Sequence, residues 1–171
     1  MTSLNSKMVL DTRFLTRLSY LPDELAKAAK QAVIKTNRWL RAASMADLGY
    51  ELKIDAKAMT TRFRIYKNGG TSKLWVGVRN LGVHRIGTPV QNAKGVQVGG
   101  RFYEGAFISP MNSDQLLVFR RKSKARKSIA LVTIEIGEEA DAIIDSYLPD
   151  LNRKFEEFFH REYKFILSGS K

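Results

Sequence analysis

The sequence has no cysteine, two histidines and four prolines in 171 residues. Without cysteine there can be no disulfide, thiolate metal site or cysteine nucleophile, and the composition suits folding in a reducing compartment. His84 lies in a glycine-rich stretch and His160 in a helix-forming one, with no HxxxH or carboxylate-flanked spacing between them. No metal site is expected from them, and no cofactor. No run approaches the roughly 18 apolar residues of a membrane span, and the opening MTSLNSKMVL lacks the charged head and apolar stretch of a signal peptide. Cytoplasmic synthesis and no membrane partner are the expectations.

Acidic residues are scarce in the middle of the chain. Between Leu52 and Ser128 only Asp55, Glu104 and Asp114 stand against sixteen basic residues. A metal-dependent nuclease needs clustered carboxylates to hold magnesium near a phosphate, and these three are far apart in sequence. GVQVGG lacks the strand-GxGxxG-helix setting and the P-loop lysine, so its glycines read as loop residues. Glu138 and Glu139 point apart on a helix, where they favour its N-terminus. No catalytic residue is assigned, and the chain is not expected to be an enzyme.

What is present is positive charge, unevenly placed. The net charge is +12, and the stretch from Leu52 to Ser128 alone exceeds it, whereas from Ile129 to Lys171 nine acidic residues outnumber five basic ones. Such polarity favours a polyanion or an acidic protein surface as neighbour. The densest block is VFRRKSKARKSI, with Arg120, Arg121, Lys122, Lys124, Arg126 and Lys127 inside eight positions.

Periodicity gives the setting of that block. A helix is expected over Leu21 to Ala43: Pro22 suits its first position, Asp23 and Glu24 its dipole, and Leu25, Ala29, Ala32, Thr36, Trp39 and Ala43 form a stripe. Shorter helical segments are expected over Asp11 to Tyr20 and, weakened by Gly49, over Met45 to Met59. The period then becomes two. TRFRIY, KLWVGVR, RFYEGAFI, Gln115 to Arg121 and Ile129 to Ile136 read as strands, with Phe102, Ala106 and Ile108 on one face of the third. KNGGTS is a turn on its chemistry. Helices follow over Gly137 to Ser146 and Leu151 to Leu167, separated by Pro149, the last with Leu151, Phe155, Phe158 or Phe159, and Ile166 on one side.

The order specifies one α+β domain over residues 1–171, an antiparallel sheet with a long N-terminal helix and C-terminal helices packed on it. The basic block becomes a hairpin tip from Lys122 to Ser128. Phosphate contact, an acidic protein partner and plain solvation all remain open for it on charge alone. Phe119, Phe102, Tyr103 and Phe107 lie nearby as base-stacking candidates, although strand aromatics more often fill cores. Asn68 to Ser72, Gln91 to Gly100 and Lys122 to Ser128, rich in glycine or like charge, are expected to be mobile and to order on assembly.

The stretch YEGAFISPMNSDQLLVFRRKSKARKSIALVTIEIGEEADAII resembles the phage minor tail protein Z family, the tail completion proteins of long-tailed phages. Gly105, Ala106, Phe107 and Ile108 match its Gly-Ala-Phe-Ile strand. Val118 and Arg121 match the strand ending before its basic loop, and Ile129 the isoleucine that leads the next strand. LPDELAKAAKQAVIKTNRWL is similar to the family's first helix and AKAMTTRFRIY to the segment after it. Ser128 departs from the proline common there, and the stretch before Tyr103 is poorer in arginine than in some relatives.

The resemblance implies a structural virion protein of the tail or neck. Its partners would be copies of itself in a ring, the tail tube or tail terminator, and the head connector, with the genomic DNA in the channel as a further candidate. The alternative is a free nucleic-acid-binding protein that uses the basic tip.

Overall fold

A computed structural model describes residues 22–68, 71–110, 115–125 and 128–169. The expected helix over Asp11 to Tyr20 lies outside them, as do Gly69 and Gly70 of the KNGGTS turn.

The first described helix, α1 (Asp23–Leu52), is a single rod of 30 residues, about 45 Å long at 1.5 Å per residue. It joins the expected Leu21 to Ala43 helix to the first part of the segment expected over Met45 to Met59. Gly49 does not interrupt it. A Cβ there would stand 2.9 Å from the Ile54 carbonyl oxygen, so glycine lets the chain fold back closely after the helix. Lys53 then takes a left-handed conformation (φ 51°), and the Ile54 N–H donates to the Gly49 carbonyl at 2.9 Å, ending the helix. The rest of the expected segment is a 3-10 turn, Ala56–Met59, capped by the Asp55 side chain.

The two halves of α1 pack on different partners. Ala28, Ala29 and Ala32 are buried in the first half, and their small side chains let the C-terminal helix α3 (Leu151–Gly169) approach closely. Lys35 pairs with Glu162 across this contact, and Trp39 meets Tyr147 edge-on at 5.4 Å. In the second half Met45, Leu48 and Leu52 enter the main core with Phe63, Leu81, Val96, Val98, Val118 and Ile136. Phe63 is only 1% exposed; burying such a side chain contributes about 1.5–3 kcal/mol. Buried Asn37 ties helix to sheet by donating from Nδ2 to the Ser72 carbonyl at 2.8 Å.

All strand pairs are antiparallel among the described residues. β1 (Phe63–Asn68) and β2 (Thr71–Val76) form a hairpin with Asn68 opposite Thr71. β3 (Leu81–Gly82) pairs with the late strand β10 (Thr133–Ile134). β4 (Val90–Asn92), β5 (Gly95–Val98) and β6 (Arg101–Glu104) make a meander. β7 (Ala106–Pro110), β8 (Leu116–Arg121) and β9 (Ile129–Leu131) make the three-stranded sheet that carries the basic tip. The helix α2 (Gly137–Tyr147) follows, burying Ala140 and Ile144, and a 3-10 turn containing Pro149 leads into α3. This is the expected α+β fold, with the antiparallel strands divided among four small sheets.

Three sequence expectations are corrected. Gln91 to Gly100 is not a mobile connection: Asn92 Oδ1 accepts from the Lys94 and Gly95 N–H groups, closing the β4–β5 hairpin, and Val96 and Val98 are buried. The glycines hid a Val-Gln-Val alternation that is an ordinary core strand. RFYEGAFI is two strands, because Gly105 takes φ +65° and turns the chain between them. Ala106 is therefore buried, whereas Phe102, expected on the same face, is 50% exposed. Ile129 to Ile136 is likewise divided at Val132, which donates to the Val118 carbonyl and accepts from Val83.

Candidate functional site

The β8–β9 hairpin builds the tip from its register. Phe119 lies opposite Leu131, Arg120 opposite Ala130 and Arg121 opposite Ile129. Beyond these pairs the Lys122 N–H donates to the Ser128 carbonyl at 2.8 Å, and Ser128 donates to Ala125 at 3.0 Å. Seven residues thus close a loop in which Lys122 to Ala125 are exposed and Ser128 is half-buried. Arg120, Arg121, Lys122 and Lys124 are all exposed, and Arg126 and Lys127 lie outside the described residues.

Strand alternation sends Arg120 and Arg121 to opposite faces. Arg120 shares the face of Val118, which goes on into the core. Arg121 shares the face of Phe119 and places its guanidinium 5.9 Å from the Phe107 ring, a cation–π contact. Phe107 and Phe119 are a cross-strand pair with centroids 6.1 Å apart.

The family-like residues come together in this same sheet. Ala106 faces Arg120, Phe107 faces Phe119 and Ile108 faces Val118 across β7 and β8, and Ile129 closes the hairpin opposite Arg121. Gly105 precedes them with its left-handed φ, and nothing lies within 4 Å of where its Cβ would be, so backbone conformation rather than crowding calls for glycine. The motif is a scaffold: it holds the base of the tip.

Of the aromatics named as stacking candidates, Phe119 is buried, and Phe107 and Tyr103 are half-buried; Phe102 alone is exposed. His84 and His160 do not form a site together. His84 sits on the 3-10 turn Val83–Arg85, where burial and then the Arg85 charge hold its pKa below the ordinary value, and His160 lies edge-on to Phe159 on α3. No group of three or more metal-ligating side chains occurs among the described residues, and none of their helices is long and apolar enough to cross a membrane.

A second basic surface was not anticipated. Arg38 and Arg41, three residues apart on α1, line a shallow groove with Arg64 and Tyr66 of β1. Arg41 Nε donates to the Phe63 carbonyl at 2.8 Å and Arg64 Nε to the Thr61 carbonyl at 3.2 Å. Arg62, two residues before Arg64, donates to the Asn80 carbonyl at 2.8 Å; burial, then Arg85 and Arg79, lower its pKa. The Arg-Phe-Arg alternation of TRFRIY was the only sign of this surface in the sequence, because its α1 half lies more than twenty residues upstream. The chain matches no family model, and no curated protein and no solved structure matches it either.

Proposed function

We propose that the chain is a non-enzymatic structural protein of a tailed-phage virion, a tail completion or head–tail joining protein of the tail or neck that acts by protein–protein assembly. It is made in the host cytoplasm and assembles as a ring of identical subunits around the DNA channel. The tail tube or tail terminator lies on one side of the ring and the head connector on the other.

The observation that carries this reading is the separation of charge between elements. The charged side chains in the sequence of the β8–β9 tip are all basic, whereas α2 carries Glu138, Glu139, Asp141 and Asp145 and no basic residue. Oppositely charged elements on one subunit suit head-to-tail contacts, which close into rings when the rotation allows. Phe165, 74% exposed near the end of α3, with Leu167 nearby, adds apolar area of the kind that partners cover. The resemblance of Gly105 to Ile108, Val118 and Ile129 to the tail completion family supplies the particular assembly.

Sedimentation of the chain alone and mixed with purified tail tubes tests the proposal. A ring-sized species or tube-bound protein is expected, and a strict monomer in both conditions contradicts it. A free nucleic-acid-binding protein using the tip is the second reading, favoured by the exposed and clustered Arg120, Lys122 and Lys124. It requires duplex affinity that falls by about 0.9 log units per log unit of salt for each phosphate contacted. The share of that affinity supplied by the tip should be lost when the tip is neutralised.

A further inference from the structure

We infer that the groove between α1 and β1 is a binding site for the phosphodiester backbone of nucleic acid, with Arg38, Arg41 and Arg64 as its phosphate-contacting residues. The inference concerns elements remote in sequence from the β8–β9 tip and does not rest on a place in a virion.

The arginines are arranged for an external anion. Arg41 and Arg64 each commit Nε to a backbone carbonyl, at 2.8 and 3.2 Å. An Nε anchored in this way fixes the guanidinium plane and leaves its terminal nitrogens for a ligand, the presentation that suits forked contact with a phosphate. Arg38 stands one helical turn from Arg41 on the exposed surface of α1. The ion pairs among the described residues are Lys35–Glu162, Arg153–Asp150 and Lys154–Glu157, so none of the three groove arginines has a carboxylate partner there. Three neighbouring cations without an acid repel one another, and an anion bound between them relieves that repulsion.

The surroundings extend the same field. Tyr66 follows Arg64 on the outer face of the β1–β2 hairpin, with Lys73 and Trp75 as their cross-strand partners. Beyond Arg62 lie Arg79 and Arg85, close enough to disfavour its charge. Several cations spread over the hairpin and the segments beside it fit a repeating polyanion better than a single carboxylate.

Ring availability distinguishes backbone contact from base stacking. Trp75 is half-buried, its ring packs so close to Gly77 that a Cβ there would stand 2.5 Å from it, and the Arg64 guanidinium lies 6.0 Å from its centroid. Tyr66, 51% exposed, is the free ring of this face. One tyrosine is a poor platform for successive unpaired bases, whereas the higher charge density of a duplex rewards arginines directly. The site is therefore assigned to duplex backbone, without sequence preference.

The test uses the full chain with its tip neutralised (R120Q/R121Q/K122Q/K124Q), so that the tip cannot mask the groove. Binding to a fluorescein-labelled duplex of about twenty base pairs is followed by anisotropy from about 50 to 200 mM salt. The tip-neutralised chain should still bind. Adding Arg38→Gln and Arg64→Gln should reduce the salt slope by about 1.8, roughly a twelvefold difference in salt sensitivity over that range. In the unsubstituted chain, the arginine Nε–H resonances of Arg41 and Arg64 should shift on adding duplex, a readout that survives if a variant folds poorly. An unchanged slope, no duplex binding by the tip-neutralised chain, or unmoved resonances would each overturn the assignment. So would tighter binding of polyglutamate than of duplex, lost in the same variant, because that outcome gives the groove to an acidic protein.

Discussion

Replacing Gly105 by alanine tests how the sheet beneath the tip is built. Gly105 has φ +65°, and nothing stands within 4 Å of the position its Cβ would occupy. A steric clash with neighbours is therefore absent, and the whole cost is the left-handed backbone, about 1–2 kcal/mol for an L-residue with a Cβ. The loss of unfolded-state entropy in alanine returns part of this, about 0.4–1 kcal/mol. The net is a destabilisation of roughly 0.8 kcal/mol, within limits of about 0 and 1.6, or a fall in Tm of about 2–3 °C at the central value for a chain of this length. Gly105→Asn should cost less than Gly105→Ala, because asparagine tolerates this conformation by bonding locally. Urea denaturation followed by circular dichroism reads both variants, with the slope m unchanged and only the midpoint moving. If alanine stabilises the fold, or if asparagine is more costly than alanine, the backbone explanation of this motif glycine is wrong.

Other substitutions probe different parts of the account. Phe63→Ala should destabilise the fold by about 3–5 kcal/mol, since it empties a fully buried position in the main core; a loss of stability in urea of under about 1 kcal/mol would place Phe63 outside the core. The Tyr147 hydroxyl donates to Asp47, and this bond, then burial and the Asp47 charge, raise the tyrosine pKa above its ordinary value of about 10. Its contribution is thus complete below about pH 10 and is lost as pH rises through the raised value, so Tyr147→Phe should flatten the alkaline fall in stability measured by urea midpoints. Neutralising Arg120, Arg121, Lys122 and Lys124 with glutamine should change stability by less than about 1 kcal/mol, because all four are exposed, yet abolish binding to tail tubes. Retained tube binding would remove the tip from the interface.

Much of this architecture is legible in the sequence because its signals are local. The tip needs only the alternation on either side of six basic residues, and Val118 and Phe119 are both buried because they point into different layers. Pro149 marks the joint between α2 and α3 for a similarly local reason, its missing N–H. The unbroken α1 was less accessible, since Gly49 reads as a helix breaker until Ile54 is seen folding back against it. The β4–β5 hairpin was hidden by its glycines and by strands only three and four residues long. Least legible was the α1–β1 groove. It brings Arg38 and Arg41 to Arg64, and no local pattern of charge can show that a helix crosses a particular strand.

The measurement that bears most directly on the central proposal is an electron-microscope reconstruction of the particle neck, with this chain fitted into its density. A ring of copies between tail tube and head connector is the predicted result, with the Lys122 to Lys127 tips directed either into the lumen or against a neighbouring protein. Lumenal tips would make the ring a DNA-contacting one, and covered tips would make their charge an assembly device. Absence of the chain from the particle would contradict the structural role and leave the free nucleic-acid-binding protein as the reading to pursue.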